Sequence, residues 1–232
     1  MPTGFELIYE AQMKLGEPRS TLAQLQSSMW PRHLRKAANR MARSTWCRYK
    51  RVYHDILQGQ HHYYLPCVPF ELRAVTIKDT SGAVWPIGVK TPEEMDESYW
   101  LWRTNPAIYT GLPSTLVAYG TNECELFYSP SYGAQNGLML EGYYDYQDWE
   151  MQDEFPGDEP YWDCVLVGAQ YYRCDELQDD PKYANKMKGK WAMFDEEMTD
   201  LYSHSVMQNT ARRSGGPGAG TARLGPWAGG VY

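Results

Sequence analysis

The sequence lacks the features that place a chain in a membrane or outside the cell. No run reaches about 18 consecutive apolar residues, the length that a membrane-spanning helix needs. The N-terminus shows no basic flank followed by an apolar stretch, as a signal peptide would. The five cysteines are scattered without a C-x-x-C pair, which argues against a disulfide framework and a zinc site. We therefore expect no membrane contact, and reduced cysteines that pack as small apolar groups in the cytoplasm.

Sequence motifs of catalysis are also missing. The chain has no glycine-rich phosphate loop, no H-E-x-x-H, no G-x-S-x-G and no kinase signature. His61 and His62 are adjacent, so in a strand their side chains point to opposite faces and do not chelate one ion. Carboxylates beside Trp149 and Trp162 are what a sugar-cleaving cleft would use, but they alternate with prolines and a glycine, as in a solvated loop. The sequence thus predicts no enzyme, no metal and no cofactor.

Each sign of charge is missing from a different part of the chain. Between Pro18 and His54 there are nine Lys or Arg and no acidic residue, whereas between Thr104 and Tyr172 there are eleven Asp or Glu and no basic residue. Opposite blocks suit side-by-side contact between identical copies, as in a ring, but they equally suit neutralisation within one subunit. The candidate basic face comprises Arg32, Arg35, Lys36, Arg40 and Arg43, and the candidate acidic face comprises Asp145, Asp148, Glu150, Asp153 and Glu154.

Helical patterns occupy both ends of the chain. A short helix over 21–29 precedes Pro31, which suits the first turn of a second helix over 31–45. Apolar residues of this second helix recur at helical spacing, and its basic residues fall on the opposite side. Further helices are predicted over 161–177 and about 180–205. The last helix has the strongest periodicity, through Tyr183, Met187, Trp191, Phe194, Met198, Leu201 and Tyr202.

Short β segments separated by turn residues fill the middle of the chain. They lie at 52–58, 61–66, 71–79, 83–88, 114–119, 124–129 and 138–147. The first two flank Gly59 and predict one hairpin, and the next two predict another. Thr91-Pro92-Glu93-Glu94 has the form of a capping box, so a short helix should begin there.

The order of these elements predicts an α+β fold. It is a helical bundle built from N- and C-terminal helices, with an inserted antiparallel β domain and an extended C-terminal arm. Residues 5–15 are apolar enough to pack but too short to assign. The expected domains are 1–50 for the N-terminal helical segment, 51–150 for the β domain, 151–206 for the C-terminal helices and 207–232 for the glycine-rich arm.

The segment 207–232 is the most informative part of the chain. It has no acidic residue, three arginines and many glycines, so it cannot bury enough apolar surface to offset the cost of ordering. We expect it to be disordered alone and to be held by another protein chain. Its candidate contact residues are Arg212, Arg213, Arg223, Leu224, Trp227, Val231 and Tyr232.

An ordered set of short motifs runs from about residue 20 to residue 205. The set consists of a Y-x-L-P strand end at Tyr63, a P-S-x-x-x-x-Y strand from Pro113, an L-F-Y-S-P strand from Leu126, a Y-Y strand, and a W-D-x-x-L-x-G-A helix from Trp162. Together they resemble the head-to-tail adaptor proteins of tailed, especially short-tailed, bacteriophages. The first 20 residues and the glycine-rich tail are not part of the resemblance.

The resemblance implies a structural virion protein in the neck between capsid and tail. It implies a ring of twelve copies beneath the portal, a β domain facing the next tail or nozzle component, and a C-terminal arm that docks on the portal. Genomic DNA would pass through the ring without specific binding. Two alternatives stay open: another tail component, such as a nozzle or tube subunit, and a carbohydrate-binding or carbohydrate-cleaving β domain that uses the 19 tyrosines and 9 tryptophans.

Overall fold

The structure, a computed structural model, describes residues 1–99, 102–103, 109–119 and 122–213. Within these residues the chain forms two compact units. The helical unit contains residues 1–48 and 145–213, and the β unit contains residues 49–144. The N- and C-terminal helices pack together, and mainly antiparallel sheets are inserted between them in the sequence, so the predicted α+β class is confirmed.

The chain begins with two capped helices, α1 (Gly4–Leu15) and α2 (Leu22–Ser27). The Thr3 hydroxyl accepts a hydrogen bond from the Glu6 backbone, and the Glu6 carboxylate accepts one from the Thr3 N–H at 2.7 Å. Thr21 and Gln24 repeat this capping box at α2. The T-x-x-E pattern therefore identifies residues 5–15 as helical, although their apolar pattern is too short to do so.

Helix α3 (Trp30–Thr45) has the predicted limits, with Pro31 in its first turn. Its residues of helical spacing are buried, and they are Leu34, Ala38, Met41, Ala42 and Thr45. The basic residues lie on the exposed side of the helix. This confirms the amphipathic pattern that the sequence predicts.

Helices α5 (Glu159–Glu176) and α6 (Pro181–Arg213) complete the helical unit, in which α5 packs against α1, α3 and α6. Gly168 of α5 permits close approach, because a Cβ there would lie 2.7 Å from the Phe194 ring of α6. Helix α6 ends at Arg213, beyond the predicted end near residue 205, so residues 207–213 of the predicted arm belong to the helix. Residues 206–213 contain no glycine or proline, so nothing in their composition stops the helix before Gly215.

The β unit contains ten strands and one short helix, α4 (Pro92–Ser98), among the residues that the structure describes. The strands are β1 (Tyr49–Ile56), β2 (His62–Tyr64), β3 (Pro69–Lys78), β4 (Val84–Pro86), β5 (Gly88–Lys90), β6 (Thr110–Gly111), β7 (Thr115–Ala118), β8 (Glu123–Phe127), β9 (Ser129–Pro130) and β10 (Ala134–Tyr144). The sheets have the strand orders β1-β10-β3-β4, β2-β8-β7-β5 and β6-β9. Pairing is antiparallel except between β5 and β7 and between β6 and β9.

The hairpin predicted around Gly59 is wrong. Gly59 does turn the chain with a φ of 77°, but β1 pairs with β10 and β2 pairs with β8 of another sheet. Strand β10 offers β1 a long ladder, from Tyr49 opposite Tyr143 to Ile56 opposite Ala134. A local turn signal does not reveal a partner so distant in the sequence. The ladder that β1 forms with β10 is also much longer than the one that the short β2 would provide.

The second predicted hairpin is confirmed, since β3 pairs with β4. The Asp79 carboxylate holds its turn by accepting hydrogen bonds from the backbone N–H groups of Ser81 and Ala83, at 2.8 and 3.0 Å. Hydrogen bonds from the Ser81 hydroxyl and the Trp85 indole help to lower the pKa of Asp79 to about 2. The predicted capping box is also present, because Thr91 and Glu94 cap α4 reciprocally.

Two clusters of buried side chains fill the β unit. The larger comprises Ile56, Tyr63, Leu65, Leu72, Val75, Ile77, Leu116, Cys124, Leu126, Leu138 and Leu140. The smaller comprises Met95, Trp102, Val117 and Phe127. Among the described helices of the whole chain, none is both long enough and apolar enough to cross a membrane.

Candidate interaction surface

The exposed side of α3 is a basic surface that covers about three helical turns. Because side chains three or four positions apart share one side of a helix, the basic residues of the sequence block line up along α3. They border an open groove of about 810 Å³ within the helical unit. The groove is lined by Ser28, Pro31, Arg32, Arg35, Lys36, Asn39, Arg40, Arg43, Ser44 and Tyr172.

Aromatic rings and a carbonyl group hold three of these cations in place. The Lys36 ammonium lies 4.1 Å above the centre of the Tyr172 ring, and the Arg40 guanidinium lies 4.6 Å above Trp191. Arg35 donates to the Trp149 carbonyl at 3.5 Å. Such contacts orient a cation and leave its charge uncompensated.

The groove therefore keeps a net positive charge. Within the described part of the chain, Arg32, Arg35, Lys36 and Arg40 form no ion pair. Such a surface has the chemistry to bind a carboxylate-rich segment or a phosphate backbone.

Arg43, the last basic residue of the groove, is neutralised inside the chain. It makes a bidentate pair with Asp145, with Nη2 at 2.6 Å from Oδ2 and Nε at 3.0 Å from Oδ1. The hydrogen bond to Asp145 raises the pKa of Arg43. Since the Asp145 side chain is only 3% exposed, this carboxylate is not available to another copy.

The other acidic residues predicted from the sequence differ in their surroundings. Asp148 pairs with Arg48 of the same chain at 2.7 Å, and Glu154 lies 3.6 Å from the N-terminal ammonium of Met1. Glu150 and Asp153 are exposed, as is Glu154. Thus the two charge blocks partly neutralise each other within the subunit.

The sequence did not identify the residues that hold the cations of the groove in place. Tyr172 and Trp191 belong to apolar arcs of α5 and α6, and a periodic pattern does not show that their ring faces meet cations. Asn39, which lies among the basic residues, accepts a hydrogen bond from the Tyr146 backbone at 2.8 Å. It thereby joins α3 to the segment that leads into α5.

The predicted contact residues of the arm fall largely outside the described residues. Arg212 and Arg213 form the end of α6, but the structure does not describe their side chains. Arg223, Leu224, Trp227, Val231 and Tyr232 lie outside the described residues altogether.

The described residues show no group of His, Cys, Asp or Glu side chains that could hold a metal ion. His62 lies 3.7 Å from Glu123 across the β2–β8 pair. Cys124, Cys164 and Cys174 are buried, and burial raises the pKa of Cys124 to about 12. They pack as apolar side chains, as the sequence predicts.

Comparison with models of known protein families assigns the chain to a family. Residues 3–221 match the model of the SU10 adaptor protein family. This range includes the segment over which the sequence motifs resemble phage adaptors. A search of curated proteins finds no significant match. The family match spans nearly the whole chain, with both the helical unit and the β unit. The chain therefore belongs to the SU10 adaptor protein family, the head-to-tail adaptors of tailed bacteriophages.

Proposed function

We propose that the protein forms a ring in the neck of the virion, between the portal and the tail or nozzle, and that the ring encloses the channel for genomic DNA. The family match over residues 3–221 carries this proposal, because membership in an adaptor family favours a structural role over an enzymatic one. The ring contains twelve copies, as in the proteins whose motifs the sequence resembles. The net charge of −7 disfavours tight DNA binding, so DNA passes through without specific contacts.

The basic groove of α3 is the proposed contact between neighbouring copies. Its uncompensated cations meet an acidic surface of the next copy, and a contact between two different faces of one subunit closes into a ring. Among the acidic residues predicted from the sequence, Glu150, Asp153 and Glu154 are exposed and available for it. Asp145 and Asp148 contribute only through their internal pairs.

The C-terminal arm is the proposed contact with the portal. Trp227 and Tyr232 supply aromatic anchors, Leu224 and Val231 supply smaller apolar ones, and Arg223 supplies charge. Arg212 and Arg213 stand where α6 ends and the arm begins. A segment that folds on its partner wraps a large surface, and many copies in one ring multiply a weak individual attachment.

Limited trypsin digestion with and without purified portal rings tests this attachment. Trypsin cleaves after arginine, so release of the arm at Arg212, Arg213 or Arg223 reports its accessibility. We expect rapid release from the free protein and protection when portal rings are present. An arm that resists trypsin without any partner, or that is cleaved equally fast on portal rings, would contradict the proposal.

Binding of a shortened chain gives the matching loss-of-function test. A chain that ends at Arg213 keeps every described helix and should no longer co-sediment with portal rings. Full-length protein with Trp227→Ala and Tyr232→Ala is the control for length, and it should bind much more weakly than the natural chain. Equal binding of the shortened and natural chains would exclude the arm as the portal contact.

A further inference from the structure

The helical unit carries a second charged surface, on the flank of α6 that faces away from the basic groove. Its members are acidic residues of α1, α5 and α6 that interact around Asp163 and Glu197. We call it the acidic patch, and it comprises Glu10, Glu159, Asp163, Glu196 and Glu197. None of them belongs to the acidic face predicted from the sequence.

The geometry of α6 separates the patch from the groove. Trp191, which lies beneath Arg40, and Glu197 are six positions apart, which at 100° per residue places them about 120° apart around the helix. Phe194 lies between them and points into the core, where it is fully buried. The groove and the patch therefore occupy the two flanks of the same buried seam.

The negative charge of the patch is only partly compensated. Lys14 pairs with Glu10 at 2.8 Å, while Lys186 donates to the Leu15 carbonyl at 2.9 Å and Lys190 is half-buried nearby. Burial, together with neighbouring carboxylates, raises the pKa of both Asp163 and Glu197.

Glu197 shows this incomplete compensation of charge most directly. Its Oε2 atom is buried and has no hydrogen-bond partner among the described residues. A buried carboxylate oxygen without a donor is costly, so the positive potential of a neighbouring copy would stabilise the ionised Glu197 even though Oε2 itself is out of contact.

The opposite charges of these two surfaces point to a second copy of this chain as their common partner. We propose that the basic groove of one copy docks against the acidic patch of the next, which rests on the ring proposed above and names its contact. A groove and a patch on different flanks of one unit make a heterologous contact, the kind that a ring requires. Of the loop acids, Asp145 and Asp148 are already paired in their own chain, so only the exposed Glu150, Asp153 and Glu154 compete with the patch for the groove.

Zero-length carbodiimide cross-linking of an equimolar mixture of ¹⁴N- and ¹⁵N-labelled protein tests this contact. The reagent joins an amine to a carboxylate that touches it, and mixed-isotope peptides identify links between copies. We expect links from Lys36 to Glu196, Glu197 or Asp163 at high protein concentration. Their yield should fall when salt rises from about 0.02 M to about 0.5 M, since salt screens exposed charges.

Charge-changing variants make the assignment specific. Glu196→Lys combined with Glu197→Gln should reduce the yield of Lys36 links about tenfold. Glu196→Lys alone should reduce the yield by a smaller factor. Arg32→Glu with Arg35→Glu should do the same from the other side. A protein that carries Arg32→Glu, Arg35→Glu and Glu196→Lys together should recover most of the yield of Lys36 links. Glu97→Lys, the same charge change on exposed α4 of the β unit, should leave it unchanged.

The possible outcomes separate this contact from the ring itself. Mixed-isotope links from Lys36 to Glu150, Asp153 or Glu154, or loss of links in Glu97→Lys, would overturn the acidic patch and leave the ring standing. Links that persist unchanged in the patch variants would also overturn it. If no mixed-isotope link forms anywhere in the chain, with or without portal rings, both the contact and the ring are wrong.

Discussion

Arg43 and Asp145 are bound to each other by a bidentate ion pair, with Nη2 2.6 Å from Oδ2, although 102 positions separate them in the chain. Arg43 lies near the end of α3, just before the chain leaves the helical unit, and Asp145 is the first residue after its return. The pair therefore fastens together the two ends of the inserted segment. Arg48 adds a hydrogen bond to the Asp145 carbonyl from the same side.

We expect Arg43→Met to destabilise the protein by about 2 kcal/mol, because it leaves the buried Asp145 carboxylate without its cation. This is below the full cost of breaking a buried pair, since the Arg43 side chain is half-exposed. Urea unfolding followed by circular dichroism measures the change. Arg32→Met, on the same exposed side of α3 but without an ion pair among the described residues, should change stability by less than about 0.5 kcal/mol. Equal effects of the two substitutions would contradict this role of the pair.

Gln170 should be a site where substitution stabilises the protein. Its side chain is fully buried, and neither its amide nitrogen nor its oxygen has a hydrogen-bond partner among the described residues. Gln170→Met removes two unsatisfied groups and should raise the free energy of unfolding by about 1 kcal/mol. Gln12 is the matched control, because it is equally buried but bonded to Ser20 at 3.0 Å, so Gln12→Met should lower stability. A loss of stability in both variants would show that Gln170 has a partner.

Two glycines of the C-terminal helices should respond to alanine in opposite directions. A Cβ at Gly168 would lie 2.7 Å from Phe194 and 2.8 Å from Ala37, so Gly168→Ala should destabilise the protein by about 1–3 kcal/mol. A Cβ at Gly189 meets nothing within 4 Å, so Gly189→Ala should stabilise α6 by about 0.5–1 kcal/mol. Thermal unfolding of the two variants measures both effects. Stabilisation by Gly168→Ala would exclude the close packing of α5 on α6.

Glu197→Gln should stabilise the protein at neutral pH but not in acid. Burial and the neighbouring Asp163 carboxylate raise the pKa of Glu197 above its ordinary value of 4.5. The folded state thus holds the proton more tightly than the unfolded chain, so ionised Glu197 weakens the fold above its folded-state pKa. The gain should be present at pH 7 and vanish as the pH falls toward about 4. The exposed neighbour Glu196 is the control, and a gain from Glu197→Gln that does not depend on pH would contradict the ionisation of this group.

The sequence predicted the features that depend on neighbours close in the chain. The limits of α3 follow from Pro31 and from the spacing of Leu34, Ala38 and Met41, and the α4 cap follows from Thr91 and Glu94. Helix α1 carries a readable signal in Thr3 and Glu6. These features are local, so short windows of sequence contain the interactions that stabilise them.

Features that depend on distant partners were not predictable in the same way. The chain does turn at Gly59, yet β1 pairs with β10, the last strand of the β unit in the sequence. The long ladder with β10 is more stable than a short ladder with β2 would be. The sequence left open whether its charge blocks meet within one subunit or between copies. Only the fold shows that Arg43 and Asp145 meet internally, whereas Arg35 and Lys36 remain beside an open groove.

An electron cryomicroscopy map of the neck of the intact virion tests the central claim most directly. We expect the map to show a closed ring of this chain between portal and tail, with the C-terminal arm lying against portal subunits. A map in which the chain sits elsewhere in the particle, forms no ring, or packs its arm solely against its own subunit would contradict it.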